Sequence, residues 1–200
     1  MEKGLERMAR TKEFDVDQAL EAAMRLFWEK GYEAASLSDL TSAMGIQRPS
    51  LYSTFGDKLG LFEAALRRYS HFHASDLRTR LQRSPSVKEG FRRLFAEVVE
   101  DGYSARPDRG CFCINAMVEM APRDEKFELL TREHQMYLSI LFAETIERGI
   151  RSGELSADLA AKPLARTLVV ALIGVTVMLK ARPERSFVEQ SVDAVLSLVK

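Results

Sequence analysis

The segment that most constrains the fold runs from Ser36 to Lys58, because it places two short helices around a tight turn. Ser36 is a favourable N-cap for the first helix and has an acidic residue three positions later, and Gly45 ends that helix. Pro49 is tolerated in the first turn of the second helix. Gly56-Asp57 marks where that helix ends, and Asp57 is expected to cap the long helix that follows. This arrangement predicts a helix-turn-helix.

The side chains that the second helix leaves on its outer face are polar. Ile46, Leu51 and Phe55 are expected to pack the second helix onto the first. Arg48 can donate two hydrogen bonds to guanine and Gln47 can pair with adenine, since both side chains reach base edges in the major groove. Serine and threonine hydroxyls can contact bases or phosphates. The pattern therefore predicts a surface that reads DNA.

Helical periodicity continues through the rest of the chain. Apolar residues recur every three or four positions, and no stretch shows the sustained alternation of a strand. We therefore predict an all-α fold of about nine helices. A helix-turn-helix DNA-binding domain is expected over residues 1–60, and a ligand-binding and dimerisation domain over residues 61–200. The first helix should start near Asp15 and end at Gly31, and later helices should span 110–120 and 158–181.

Residues 15–65 resemble the TetR (tetracycline-repressor-like) family of transcriptional regulators. The resemblance rests on an aromatic-rich first helix, a serine-capped second helix, and Gly45-Ile46 followed by Leu51-Tyr52, Phe55 and Lys58 at the family's spacing. It implies that Tyr52 and Lys58 contact phosphates, with further phosphate contacts from residues 10–12. The residues expected at the DNA interface are Ser36, Gln47, Arg48, Pro49, Ser50, Tyr52, Ser53, Thr54 and Lys58.

Charge gives this interpretation no general support. The chain has 29 Lys+Arg and 29 Asp+Glu, and residues 1–60 carry eight basic and ten acidic residues. DNA binding must therefore rest on a few well-placed cations and not on a broad basic field. The alternative is a short helical pair inside an ordinary all-α protein, with Tyr52 in the core and Lys58 as a solvated surface charge.

The apolar run Leu168–Leu179 predicts a helix that is buried on nearly all sides. Such a helix belongs either to the core of one chain or to the contact between two copies. The family resemblance implies a homodimer in which the two C-terminal helices form a four-helix bundle, and a twofold dimer matches a palindromic operator. The residues expected at that interface are Leu168, Ala171, Leu172, Val175, Phe187, Val192 and Val195.

The resemblance also implies a ligand pocket between the fourth helix and the helices after Ser86. Aromatic and methionine side chains there suit a small, largely apolar ligand, and ordinary core packing is the competing interpretation for each of them. The candidate ligand-binding residues are Phe72, Tyr103, Cys111, Asn115, Met120, His134 and Tyr137.

The two cysteines, Cys111 and Cys113, are too few for a disulfide framework, and with His134 they lack a fourth metal ligand. Cys111 is expected in the first turn of a helix that is capped by Asp108, next to Arg109. A helix N-terminus and a nearby cation both lower a thiol pKa, so Cys111 is a candidate redox or electrophile sensor. A buried small hydrophobe is the competing interpretation.

The sequence contains no nucleophile elbow, P-loop, dinucleotide fingerprint or metal quartet, so we expect no enzyme, no catalytic or metal site and no cofactor. The N-terminus lacks the apolar core of a signal peptide, and no apolar run is long enough for a membrane span, so a cytoplasmic protein is expected. The predicted function is a repressor that a small-molecule ligand releases from double-stranded operator DNA. An all-α enzyme and a protein-binding helical adaptor are the alternatives.

Overall fold

The computed structural model describes residues 14–104 and 110–200. Nine α-helices follow one another in these two ranges, and a short 3-10 helix, Leu179–Ala181, extends the eighth. The helices are α1 Val16–Ala34, α2 Leu37–Met44, α3 Arg48–Phe55, α4 Lys58–Arg83, α5 Val87–Tyr103, α6 Phe112–Glu119, α7 Glu125–Arg151, α8 Ala161–Met178 and α9 Arg185–Leu196. The predicted all-α fold of about nine helices is confirmed.

Local capping chemistry sets the helix starts in the N-terminal part. The Asp15 carboxylate accepts two hydrogen bonds from backbone N–H groups in the first turn of α1. Ser36 and Asp39 form a reciprocal capping box at α2, in which each side chain accepts a hydrogen bond from the other's backbone N–H. The Asp57 carboxylate caps α4 by accepting a hydrogen bond from the Gly60 N–H. The sequence predicts all of these starts correctly, because each cap depends on residues that are two or three positions apart.

Two hydrophobic clusters fill the interior. The first joins α1, α2 and α3 to the start of α4, to α6 and to the start of α7, around Phe27, Phe62 and Phe112. The second joins the end of α4 to α5, α7, α8 and α9, around Phe91 and Phe142. Helices α4 and α7 contribute residues to both clusters, so hydrophobic packing is continuous across the predicted domain boundary near residue 60. The division into two domains stays a prediction.

The start of α6 differs from the prediction. The helix begins at Phe112, and Cys111 is its N-cap, with an extended backbone (φ −91°, ψ 125°), not a first-turn residue. Gly110 has a positive φ of 51°, so the helix cannot extend back through it. Asp108 and Arg109, which were expected to flank the thiol, lie outside the described residues, as do residues 10–12 of the N-terminal arm.

The start of α8 also differs from the prediction. The backbone N–H of Asp158 donates to the Ser156 hydroxyl and that of Leu159 donates to the Ser156 carbonyl, so this turn delays the helix until Ala161. By length and composition alone, residues 161–181 could cross a membrane, with a mean hydropathy of 1.9. One face of the helix, which carries Leu168, packs into the second cluster, so burial in a globular core accounts for much of this apolar character.

Candidate nucleic-acid interface

One-sided burial fixes the orientation of α2 and α3. Leu40 in α2 and Leu51 in α3 are fully buried, and Ile46 is buried in the turn that joins the two helices. Gly45 adopts the left-handed conformation, with φ 64° and ψ 30°, and this allows the chain to turn sharply between them. The opposite face of α3 is therefore directed away from the core.

The outward face of α3 carries most of the residues that the sequence predicts at the DNA surface. Tyr52 is 46% exposed, which argues against a core role. Arg48 is exposed and makes no ion pair within the described part of the chain, so its guanidinium donors are available to a base edge or a phosphate. Also exposed are Ser36, Gln47, Pro49 and Ser53, while Ser50 and Thr54 are half-buried.

The hydroxyl groups around α3 are less available than their exposure suggests. Ser53 donates to the Ser50 carbonyl at 3.1 Å, and the Ser36 hydroxyl accepts from the Asp39 N–H. The Thr54 hydroxyl oxygen is buried and has no hydrogen-bond partner among the described residues. The side chains that project most openly from α3 and its cap are therefore Gln47, Arg48 and Tyr52, and their contacts with DNA stay predictions.

Lys58 has internal contacts that the sequence pattern does not indicate. Its Nζ lies 3.4 Å from the carbonyl oxygen of Glu33 and 4.5 Å from the centroid of the Tyr32 ring. The ammonium group thus joins the start of α4 to the end of α1, through a carbonyl and a cation–π contact. A phosphate contact of Lys58 would add to this structural role.

Glu119, at the end of α6, is a residue that sequence reasoning missed. Its carboxylate accepts hydrogen bonds from the backbone N–H groups of Tyr32 and Glu33, both at 2.9 Å. These N–H groups follow Gly31, whose φ of 80° interrupts α1. The contact joins residues up to 87 positions apart, so no local signal could have revealed it. It attaches α6 directly to α1, the helix against which α2 packs.

Several of the predicted ligand-binding residues line different cavities. Cys111 lines a cavity of about 380 Å³ that is bounded by residues of α1, α4, α5, α6 and α8. His134 and Tyr137 line a second cavity of about 660 Å³ between α4 and α7. Asn115 lines a third of about 310 Å³, beside Gly31 and the end of α6. The structure does not bring these residues into one pocket.

The other candidate ligand residues lie outside these cavities. Phe72 is 75% exposed, and Met120 is buried in the first hydrophobic cluster. The Tyr103 hydroxyl donates to the Pro183 carbonyl at 2.8 Å, a contact that ties α5 to the segment before α9. Whether any member of the set binds a ligand stays a prediction.

The residues predicted at a dimer interface fall into a buried group and a more exposed group. The buried ones already belong to the second cluster of the chain itself; they are Leu168, Leu172, Val175 and Val192. Ala171 and Val195 are half-buried, and Phe187 is 54% exposed. Val170, which was not in the predicted set, is 69% exposed on α8. Periodicity identified the apolar helices but could not separate their inner faces from their outer ones.

Comparison with known proteins agrees with this geometry. Residues 19–65 match the family described as bacterial regulatory proteins, tetR family, and residues 89–195 match the tetracyclin repressor-like C-terminal domain. The chain is 33% identical over 193 residues to the HTH-type transcriptional regulator YezE of Bacillus subtilis (strain 168). This alignment covers 96% of this chain and 100% of YezE. It is 41% identical over 114 residues to the HTH-type transcriptional repressor ComR of Escherichia coli (strain K12), covering 56% of this chain and 54% of ComR.

A solved structure extends the similarity to the whole fold. A cysteine mutant of the TetR family transcriptional regulator CifR, complexed with 26-bp double-strand operator DNA, matches with a TM-score of 0.82 and 37% sequence identity. The match covers 96% of this chain and 100% of that one. The outward polar face of α3, the two family matches and the full-length relatives lead to one conclusion: the chain belongs to the TetR family and is a DNA-binding transcriptional regulator.

Proposed function

We propose that this regulator is a repressor that binds a palindromic operator as a homodimer and is released by a small-molecule ligand. The observation that carries the proposal is the outward face of α3, from which Gln47, Arg48 and Tyr52 project while the opposite face is buried. The name of ComR as a transcriptional repressor and the operator complex of CifR support this reading. In the proposed operator complex, Gln47 and Arg48 contact base edges, and Tyr52 and Lys58 contact the phosphate backbone.

The homodimer is supported by apolar surface on α8 and α9. Val170 and Phe187 are exposed there, and the half-buried Ala171 and Val195 adjoin the same core. A second copy of the chain would remove this surface from water. Two copies related by a twofold axis would present their α3 helices to successive major grooves, about 34 Å apart.

Release by a ligand requires a mechanical connection from a cavity to α3, and α6 can supply it. At its start, α6 borders the cavity of about 380 Å³ through Cys111. At its end, Glu119 holds the two backbone N–H groups that follow Gly31 in α1. A ligand that binds better when α6 is displaced would favour dimers whose two α3 helices no longer match successive grooves.

We also propose that the protein acts in the cytoplasm, where operator DNA is accessible, and that it needs no cofactor and catalyses no reaction. The family to which it belongs consists of transcriptional regulators. In this reading the cavities serve to bind a ligand and not to convert it.

Fluorescence anisotropy with labelled duplex DNA from the region upstream of the chain's own gene tests the proposal. We expect saturable binding that is tighter than to a random duplex of equal length and that falls steeply with salt. Tyr52→Ala should weaken binding to both duplexes. Phe72→Ala, which alters an exposed aromatic residue on α4, is the matched control and should leave both affinities unchanged. Failure to bind any duplex at low salt would refute the proposed function.

A further inference from the structure

Two thiols and two imidazoles cluster where α4, α6 and α7 meet. Cys111 is the N-cap of α6 and is half-buried, while Cys113 is buried in the first turn of that helix. His73 on α4 and His134 on α7 have ring centroids 5.6 Å apart, and both imidazoles interact electrostatically with the Cys111 thiol. Four groups that can hold or transfer a proton therefore share a small volume.

In this cluster, each imidazole has one buried nitrogen without a hydrogen-bond partner of ordinary geometry among the described residues. His134 is 4% exposed and its Nδ1 lies 3.0 Å from the Ser70 hydroxyl, but its Nε2 has no hydrogen-bond partner of ordinary geometry among the described residues. The buried Nδ1 of His73 also lacks one there. An unsatisfied buried polar atom costs about 1–3 kcal/mol, so such atoms call for an explanation beyond packing. A site whose chemistry transfers a proton would explain why these nitrogens are kept in the interior.

A cavity of about 380 Å³ gives access to Cys111. Trp28, Leu94 and Val98 contribute apolar surface to this cavity, and His73 also lines it. This volume falls within the range of small-molecule pockets. A carbon compound of moderate size can therefore approach the Cys111 sulfur.

The neighbours of Cys111 favour its thiolate form. The Cys113 thiol, within hydrogen-bonding reach, lowers the pKa of Cys111 well below the ordinary value despite burial, and the imidazoles of His134 and His73 act in the same direction. The same thiol–thiol contact, together with burial, raises the pKa of Cys113. One sulfur is thus prepared as a nucleophile, while the other stays protonated beside it.

We propose that Cys111 is a covalent sensing site for small carbon electrophiles of the α,β-unsaturated carbonyl class, which reach it through this cavity. The Cys111 sulfur attacks the β-carbon, a carbon–sulfur bond forms, and the π electron pair of the double bond moves onto the carbonyl as an enolate. The α-carbon then takes up the proton that the thiol released, by way of water or a neighbouring imidazole. The sum is addition of S–H across the double bond, with no oxidant or reductant. The size of the cavity favours such a compound over a hydroperoxide, which needs no pocket.

An adduct on Cys111 would lie at the start of α6, the helix whose other end holds α1 through Glu119. Because α6 has only eight residues, a displacement at its start should reach Glu119 with little loss. The adduct should therefore disturb the contact with α1 and reduce DNA affinity. This second step rests on the proposed function, whereas the thiol chemistry does not.

Intact-mass measurement and peptide mapping of the full chain, treated with one equivalent of methyl vinyl ketone at neutral pH, test the chemistry. We expect a single adduct on Cys111, formed at least about tenfold faster than with glutathione, because the environment favours the thiolate. Butanone, which lacks the double bond but has nearly the same size, should not add. Cys111→Ser should not react, and Cys113→Ser should still react at Cys111, but more slowly.

Anisotropy with operator DNA provides the second readout. The adduct should lower affinity by about tenfold in the wild type, within the usual range of coupling between sites, and the reagent should have no effect on Cys111→Ser. Peptide mapping of the adduct on the wild-type protein remains decisive even if Cys111→Ser folds poorly.

Several outcomes would overturn the inference. Addition of methyl vinyl ketone to Cys111 no faster than to glutathione would do so, and so would an adduct on Cys113. A Cys111–Cys113 disulfide formed with a hydroperoxide, while methyl vinyl ketone fails to add, would also overturn it. So would an adduct on Cys111 that leaves the DNA affinity unchanged. If the unmodified chain binds no DNA, the proposed function fails, and the mass data alone then decide whether Cys111 is the reactive site.

Discussion

At the scale of single residues, the two cations expected at the DNA surface have different surroundings. Arg48 is exposed and makes no ion pair within the described ranges. Lys58 is half-buried and already contacts the Glu33 carbonyl and the Tyr32 ring. A guanidinium free of internal partners can form a bidentate contact with a base, whereas an ammonium acts as a point charge towards a phosphate. Substitution of the two residues should therefore have different consequences.

Arg48→Ala should cost about 1–3 kcal/mol of operator affinity and relax the sequence preference, because a contact with a base edge is lost. Lys58→Ala should weaken binding to all duplexes alike and reduce the salt slope by about one, because one phosphate contact is lost. Anisotropy titrations at several salt concentrations measure both effects. Arg93→Ala, which removes an exposed, ion-paired arginine on α5, is the control and should change neither. Equal slopes for wild type and Lys58→Ala would count against the phosphate contact.

Gly31 combines backbone strain with a close contact. Its φ is 80°, and a Cβ there would lie 2.9 Å from a Glu119 carboxylate oxygen. Gly153 has a similar φ of 77° but nothing within 4 Å of the Cβ position. Gly153→Ala should cost about 1–2 kcal/mol from the left-handed backbone alone, and Gly31→Ala should cost more. Urea unfolding followed by circular dichroism compares the two, and equal losses would show that the Glu119 side chain moves aside freely.

At the scale of helices, two carboxylates from distant elements hold the ends of other helices. Glu119 ties the end of α6 to α1. Glu154, in the segment between α7 and α8, accepts hydrogen bonds from the first two backbone N–H groups of α5 and from the Ser86 hydroxyl. Helix ends leave backbone groups without partners inside the helix, so each carboxylate stabilises one helix and also fixes its position relative to another.

The Glu154 contacts predict a pH-dependent stability. Partial burial would raise the pKa of Glu154, but hydrogen bonds from the Lys88 amide, the Ser86 hydroxyl and the Val87 amide outweigh it and hold the pKa below the ordinary 4.5. A folded-state pKa below the unfolded value means that the stabilisation is complete above the unfolded pKa and is lost as the pH falls through the folded pKa.

The difference in unfolding free energy between wild type and Glu154→Gln should therefore be largest at neutral pH and shrink below about pH 4. Urea unfolding at a series of pH values measures this difference. Glu133→Gln, which alters an exposed glutamate on α7, serves as the control and should show no comparable trend. A difference between wild type and Glu154→Gln that stays constant over the whole range would contradict the capping role.

At the scale of the whole molecule, the apolar surface on α8 and α9 is expected to decide the assembly. Val170→Glu should convert the proposed dimer to a monomer, because an interface does not tolerate a buried unpaired charge. The chain should stay folded, since this side chain is 69% exposed. Size-exclusion chromatography with light scattering measures the mass, and operator affinity should fall with it. Met136→Glu, at a 58% exposed position on α7, should remain dimeric. A Val170→Glu variant with dimer mass would place the interface elsewhere.

The sequence by itself determined the helix-turn-helix and the local geometry of its caps. Ser36, Gly45 and Asp57 act on backbone groups within four residues, and the spacing of Leu51 and Tyr52 on one helix assigns an inner and an outer face. Such features depend on short-range hydrogen bonds and on helical period, both of which can be read from the order of residues. Periodicity also gave the number of helices. Its errors are two or three residues at the starts of α6 and α8, where Gly110 and Ser156 form turns, and at the end of α1, which continues past the kink at Gly31 to Ala34.

Only the tertiary structure decided which helices meet and what lies between them. It places Glu119 against the amides after Gly31, brings His73 and His134 beside Cys111, and divides the candidate ligand residues among separate cavities. A hydrophobic pattern specifies that a face is buried but not against which partner, because burial of apolar area is non-directional. The helix-turn-helix was therefore predictable from the sequence, whereas the connection from α1 through α6 to the thiol cluster required the packed chain.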